Sequence, residues 1–198
     1  MAIELKNICK SYDGKEVLAD VSLVLNPGEI TCIMGTSGIG KTTLINIIAG
    51  LVKPDSGQIF GMQNKCISFV FQEDRLLEWE TALANVLFVK NPAKAHVNEA
   101  KTLLDKAGLT DSINKKAAEL SGGMKRRVCI CRALLADYDL LILDEPFKGL
   151  DEETKPKIMQ LVKENLREGA CVLCVTHDAA EVEFLSGKLV KIGKELIC

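Results

Sequence analysis

Gly35-Thr36-Ser37-Gly38-Ile39-Gly40-Lys41-Thr42 reads G-x-x-x-x-G-K-[ST], and its flanks give that spacing a meaning. Before it lies a short apolar run, Glu29 to Met34, suited to a strand buried on both faces. After it a helical pattern runs from about Lys41 to Ala49 and stops at Gly50. Glycines let the loop curl until several backbone N–H groups face one anion, and the following helix turns its positive end to the same point. Lys41 is placed to reach β- and γ-phosphates as a point charge, and the Thr42 hydroxyl suits the oxygen shell of Mg²⁺. This predicts a nucleoside triphosphate site and leaves kinase, GTPase and transport ATPase open.

Outward from the loop, the C-terminal third alternates. Asp139 to Leu143 reads as a buried strand, and Glu152 to Glu168 as a helix with Asp151 as N-cap and Gly169 as its stop. Cys171 to Val175 is a second buried strand, Asp178 starts a helix with Glu181 placed for a capping box, and Leu189 to Ile192 is a last short strand. Such alternation implies a parallel sheet covered by helices. Upstream, Ile3 to Ile8 and Val17 to Leu25 have strand character around the turn Asp13-Gly14, and Asn26-Pro27-Gly28 is another turn. The middle differs: Thr81 to Ala107 is helical in spacing and carries no catalytic-looking cluster, so it begins a candidate helical insert reaching about Leu135.

Two further motifs carry chemistry. Leu140-Leu141-Ile142-Leu143-Asp144-Glu145 puts two carboxylates at the C-terminal end of an apolar strand, the edge where open α/β sheets gather their ligands. Asp144 is placed to hold Mg²⁺; Glu145, expected to point the other way, can polarise a water for attack on a γ-phosphate. Leu120-Ser121-Gly122-Gly123 precedes a helix to about Leu135, with Ser121 as N-cap, and offers a second anion-facing helix start.

The chain has 198 residues, 47% apolar and 26% charged, which fits a single packed domain. A net charge of -2 gives no global field toward nucleic acid or anionic lipid, and the pairs Lys115-Lys116 and Arg126-Arg127 read as solvated surface. No run approaches the ~18 to 20 apolar residues of a membrane span, and the first residues lack a signal-peptide core, so a cytosolic protein is expected. The eight cysteines should then stay reduced. Cys171 and Cys174, three apart on a strand, point to opposite faces, and Cys129 and Cys131 are separated on a helix, so all read as small apolar groups rather than metal ligands.

Tyr12, Gly35 to Thr43, Gln72, Leu120 to Gly123, Leu140 to Glu145, Gly149-Leu150-Asp151 and His177 occur in an order that resembles the ATP-binding subunit of ABC transporters over nearly the whole chain. The resemblance implies a P-loop NTPase of α/β class: one ABC ATPase domain over 1–198, with a mainly parallel core sheet, an N-terminal antiparallel β-lobe and an inserted helical lobe at about 73–135. It implies ATP and Mg²⁺ as cofactors and ATP hydrolysis by a dimer. Tyr12 corresponds to the aromatic that stacks on adenine. Gly35, Thr36, Ser37, Gly38, Ile39, Gly40, Lys41, Thr42 and Thr43 form the phosphate loop, and Thr42, Gln72 and Asp144 the Mg²⁺ environment. Glu145, His177 and Gln72 are the catalytic set. Ser121, Gly122 and Gly123 correspond to the signature that closes over ATP held by a second subunit, and Asp151 to a residue of the dimer interface.

The same resemblance implies a second ATPase subunit, a transmembrane permease and a substrate-binding protein as partners. No nucleic-acid partner is expected. The place is cytoplasmic, on the inner face of the membrane, with no regulatory domain after Ile192. The run Phe71-Gln72-Glu73-Asp74-Arg75-Leu76-Leu77-Glu78-Trp79 resembles importers of nitrate, sulfonates and taurine, except that Glu78 stands where proline is usual. Other departures are Met124 where the signature has glutamine, a short segment from Gly57 to Phe69, and Lys148 where a small residue is common. The competing readings are a soluble ABC ATPase acting on ribosomes, DNA or cofactor assembly, and a nucleotide-gated binding module with little turnover. The first lacks the coiled-coil arms, zinc inserts or paired cassettes that would favour it; the second is opposed by Glu145 and His177 both being present.

Overall fold

The computed structural model describes residues 1–36 and 38–191. Ser37 of the loop and Ile192, the last residue of the expected final strand, lie outside the described residues. The chain divides into two compact units: residues 1–67, 139–144 and 168–198 form the first, and 68–138 with 145–167 the second.

The first unit is built on two sheets. Strands β1 (Ile3–Tyr12) and β2 (Lys15–Leu25) form an antiparallel hairpin, Ile3 opposite Leu25 and Tyr12 opposite Lys15. Its turn is Asp13-Gly14, both at positive φ (49° and 76°), as the sequence leads one to expect. On the other side β1 pairs antiparallel with β4 (Ser56–Phe60), a strand whose half-exposed residues carry little apolar signal. The second sheet has the order β5-β6-β7-β3-β8. Its strands are β3 (Ile30–Met34), β6 (Leu140–Asp144), β7 (Cys171–Val175) and β8 (Lys188–Lys191) of this unit, with β5 (Ile67–Val70), of which only Ile67 is counted in it. β6–β7, β7–β3 and β3–β8 all pair in parallel. Every residue of β6 and β7 is buried, which is why both read as unbroken apolar runs.

Helix α1 (Lys41–Ile48) follows β3 with Leu44, Ile45, Ile47 and Ile48 buried, and Gly50 at φ 73° ends its run. Helix α6 (Ala179–Leu185) starts behind Asp178, whose carboxylate accepts the Ala180 N–H at 2.9 Å. Thr176 mediates at this start: its Oγ1 accepts the Asp178 N–H and donates to the Glu181 carboxylate. Thr176 thus links the cap residue Asp178 to Glu181, the residue expected to share in the cap.

The second unit is mainly helical. The helical pattern of 81–107 is realised as two helices, α2 (Ala82–Leu87) and α3 (Val97–Lys106). Pro92 lies between them, where it has no N–H to give and restrains the residue before it. Helix α4 (Gly122–Leu135) is capped by Ser121, whose Oγ accepts the Met124 N–H at 3.3 Å. Helix α5 (Thr154–Glu164) is shorter than its pattern at both ends. At its start Asp151 still supplies the cap chemistry, its carboxylate accepting the Thr154 N–H at 2.8 Å from ahead of the helix. At its end Asn165 Nδ2 turns back to the Leu161 carbonyl and the Arg167 N–H goes to Tyr138 Oη, so the chain leaves the helix before Gly169.

Among the described residues no helix is long and apolar enough to cross a membrane, and no group of three or more His, Cys, Asp or Glu could hold a metal. Cys32, Cys171 and Cys174 are buried in strands, and Cys32 lies beside Cys174 in the β3–β7 pairing. Burial pushes the thiols of Cys129 and Cys131 up to about 12, so these behave as apolar packing groups.

Candidate functional site

In the first unit, parallel pairing carries three predicted segments to one edge of the sheet. The phosphate loop leaves the C-terminal end of β3, Asp144 ends β6, and His177 follows β7 by two residues. The register places Ile33 beside Val175 and Val175 beside Asp144. With strands ~4.8 Å apart, the tip of β6 stands about 10 Å from the tip of β3, within the span of a triphosphate and its ion.

The loop's geometry is enforced from behind. Gly40 enters α1 at φ 101°, and a Cβ there would stand 2.8 Å from Leu18 Cδ2 and 2.9 Å from the Val17 carbonyl. The cap position of α1 is Gly40, which has no side chain to take the helix's first N–H groups. The Lys41 amine is held at the loop by the Gly35 carbonyl at 2.6 Å and the Thr36 carbonyl at 3.0 Å. Gly38 is at φ 83°, Ile39 donates its N–H to the Thr36 carbonyl, and Thr42 is exposed in the first turn of α1 with Thr43 next to it. Asp144 is 5% exposed, a buried carboxylate at the sheet edge. His177 is exposed. Tyr12, at the end of β1, is also exposed, with Lys10 Nζ 5.4 Å from its ring centre.

The second unit holds the other predicted residues. Glu145 lies beyond the strand rather than on it, at φ 45°, a conformation uncommon for a residue with a side chain. Its carboxylate meets Lys148 Nζ at 2.8 Å, so the lysine that stands where a small residue is usual pairs with the predicted catalytic acid. Gln72 is exposed on a loop that Asn85 fastens: this fully buried amide takes the Leu77 N–H at 2.8 Å and gives to the Leu77 and Thr81 carbonyls. Residues 78–83 are stitched to 113–118 by backbone hydrogen bonds, among them Ala82 N–H to Lys115 and Ala117 N–H to Glu80. That segment leads straight into Ser121. Glu78 pairs with Lys125 of α4 at 3.0 Å, an ion pair that a proline there could not form.

Ser121 and Gly122 are exposed at the start of α4. A Cβ at Gly122 would meet nothing within 4 Å, and one at Gly123 only the Gly149 carbonyl at 3.6 Å and Leu150 Cδ2 at 3.8 Å. Asp151 is exposed, and its hydrogen bond from the Thr154 N–H holds its carboxyl below the usual carboxylate range.

One pair of residues in this unit differs from the sequence expectation. The Arg126-Arg127 pair, expected to be solvated, turns inward: Arg126 is 4% exposed and Arg127 gives hydrogen bonds to the Ala107 and Gly108 carbonyls. The signal was present in the spacing. Arg126, Ile130, Ala133 and Leu134 lie at i, i+4, i+7 and i+8 and share the buried face of α4.

Comparison with known proteins agrees with this geometry. Residues 18–148 match the family model for the ABC transporter. The bicarbonate transport ATP-binding protein CmpD of Synechocystis is 38% identical over 95% of this chain and 73% of its own length. The taurine import ATP-binding protein TauB of Pseudomonas fluorescens is 38% identical over 96% of this chain and 77% of its own. Among solved structures, the dimeric bacterial ABC transporter cassette MJ0796 superposes with a TM-score of 0.85 at 34% identity, covering 96% of this chain and 94% of that one. The same cassette in a post-hydrolysis state with ADP and phosphate gives 0.82.

Proposed function

Because this chain belongs to the ABC transporter family, as an ATP-binding subunit that hydrolyses ATP, we propose that it pairs with a second ATPase subunit and drives import through a separate membrane permease. The observation that carries this is the pair of helix starts. The glycine at α1 is demanded by packing within its own unit, whereas at α4 Gly122 faces open space and Gly123 has room for a side-chain carbon at ordinary contact distance. Open glycines at a capped helix start suit the approach of an anion held by another molecule. Each chain then supplies half of two sites, and ATP acts as a switch of association.

In this reading the N–H groups of Gly35 to Thr43 and the Lys41 amine hold the phosphates, and Tyr12 stacks on the adenine. Glu145 polarises the attacking water, Gln72 and His177 orient it, and His177 also contacts the γ-phosphate. Ser121, Gly122 and Gly123 close over the nucleotide of the facing subunit, with Asp151 lining the interface. Thr42, Asp144 and Gln72 suit Mg²⁺, which prefers a few hard oxygen ligands and keeps waters and phosphate oxygens for the rest. The buried Asp144 carboxylate and exposed Thr42 hydroxyl are such ligands. When bound, that ion would neutralise charge on the β- and γ-phosphates. We assign residues 1–198 to one cassette, with 73–135 as its helical lobe. Cargo would come from a substrate-binding protein, and the cassette would sit on the inner face of the membrane.

Mild-detergent purification of the tagged chain from native membranes tests the transport role. A stoichiometric multi-spanning permease is the expected companion. Ribosomal, DNA-repair or assembly proteins in its place would overturn transport and leave the ATPase chemistry standing.

A further inference from the structure

The second unit contains a buried guanidinium that the assignments above do not use. Arg126 of α4 collects main-chain carbonyls from two separate segments. Its Nη2 donates to the Glu145 carbonyl at 2.6 Å and its Nε to the Pro146 carbonyl at 2.9 Å. On the other side its Nη1 donates to the Phe71 carbonyl and, at 3.4 Å each, to the Gln72 carbonyl and the Asp74 carboxylate. Both segments belong to the same unit.

We propose that Arg126 is a positioning residue for ATP hydrolysis, setting Gln72 and Glu145 relative to each other by clasping their main chains. The proposal rests on the roles given to those two residues above. Three features support it. A buried arginine needs its donors satisfied, and here the bonds described go to the two segments that carry the water-handling residues. Glu145 sits at φ 45°, a strained conformation that persists only when the surroundings hold it. Its carbonyl accepts from Arg126 Nη2 at 2.6 Å and from the Lys148 N–H at 3.2 Å. The Gln72 segment is also braced, with Phe71 stacked on Phe69 at 3.9 Å between ring centres and Arg75 3.8 Å over the Phe71 ring. Arg126 therefore joins one stiff segment to one strained turn.

A planar fork can span two sets of carbonyls; an ammonium cannot. In Arg126→Lys the turn is released, and a displacement of about 1 Å at a catalytic group costs on the order of 100-fold. Steady-state turnover of the purified full chain should show kcat falling at least ~10-fold with KM for ATP within about twofold, because the bonds of Arg126 described above hold residues 71–74 and 145–146, which are assigned to water handling rather than to phosphate binding. Arg126→Gln, measured alongside, keeps a single amide NH2 that cannot reach both segments, and its kcat should fall at least as far. It also decides the matter if the lysine variant does not fold. A kcat within twofold of wild type in a folded variant overturns the proposal. So does a rise in KM at constant kcat, or a lower melting temperature with unchanged turnover of the folded protein. Glu145→Gln is the control: if it retains turnover, the role of Glu145 itself fails; if it is inactive while Arg126→Lys is not, only the clasp fails.

Discussion

At Gly40 an added Cβ would press on Leu18 and Val17 at under 3 Å; at Gly122 it would meet nothing within 4 Å. Both glycines open a helix at a predicted phosphate contact, and one motif scan would treat them alike. Gly40 is explained inside its own unit, because φ 101° and the backing of β2 leave no room for a side chain. Gly122 and Gly123 are not so explained. Glycine costs a helix up to about 1 kcal/mol against alanine, so the start of α4 carries a cost with no local return. A site complete in one chain gives no reason for it; a surface shaped to meet a second chain's nucleotide does.

Substitutions should separate the two starts in a graded way. Gly40→Ala has the largest expected effect on stability, about 2 to 4 kcal/mol from backbone strain and overpacking together, read by urea unfolding, and it should abolish ATP binding. A loss under about 0.5 kcal/mol would erase the contrast. Ser121→Arg comes next: it removes the cap on Met124 N–H, at about 1 kcal/mol, and should block ATP-driven dimerisation while monomer affinity for ATP stays within about twofold. Loss of monomer binding would mean that the segment acts within its own chain. Gly122→Ala should hold or raise stability by up to about 1 kcal/mol, yet weaken ATP-dependent assembly; a wild-type assembly constant would show that the open space is idle.

The smallest effect concerns the thiols on α4 behind the second start. With Cys129 and Cys131 at about 12, only about one thiol in 10⁴ is ionised at pH 8. Iodoacetamide followed by mass spectrometry should modify exposed Cys66 and leave both untouched. Early labelling of either would mean that α4 opens, and that its N-terminus is not the held surface described here.

The parallel core was legible because β3, β6 and β7 are buried on both faces and spell themselves as apolar runs between glycine or acidic punctuation. β4 was not, because Ser56 to Phe60 are half-exposed and owe their place to pairing with β1, where Gly57 lies against the Asn7 carbonyl. Helical spacing across 81–107 was real, but spacing does not register what one proline does between two turns. The site residues were legible as chemistry: carboxylates, a lysine, a histidine and glycines at set intervals. What holds them was not. Arg126 and Lys148 look like surface charge in the sequence, and only the fold shows one buried against carbonyls and the other paired with Glu145.

The shared-site claim is tested most directly by sedimentation of the Glu145→Gln chain with and without ATP. Blocked hydrolysis should leave ATP bound and convert the protein to twice the monomer mass, with wild type returning to monomer as ATP is consumed. A variant that binds ATP, does not hydrolyse it and still sediments as a monomer would contradict the account.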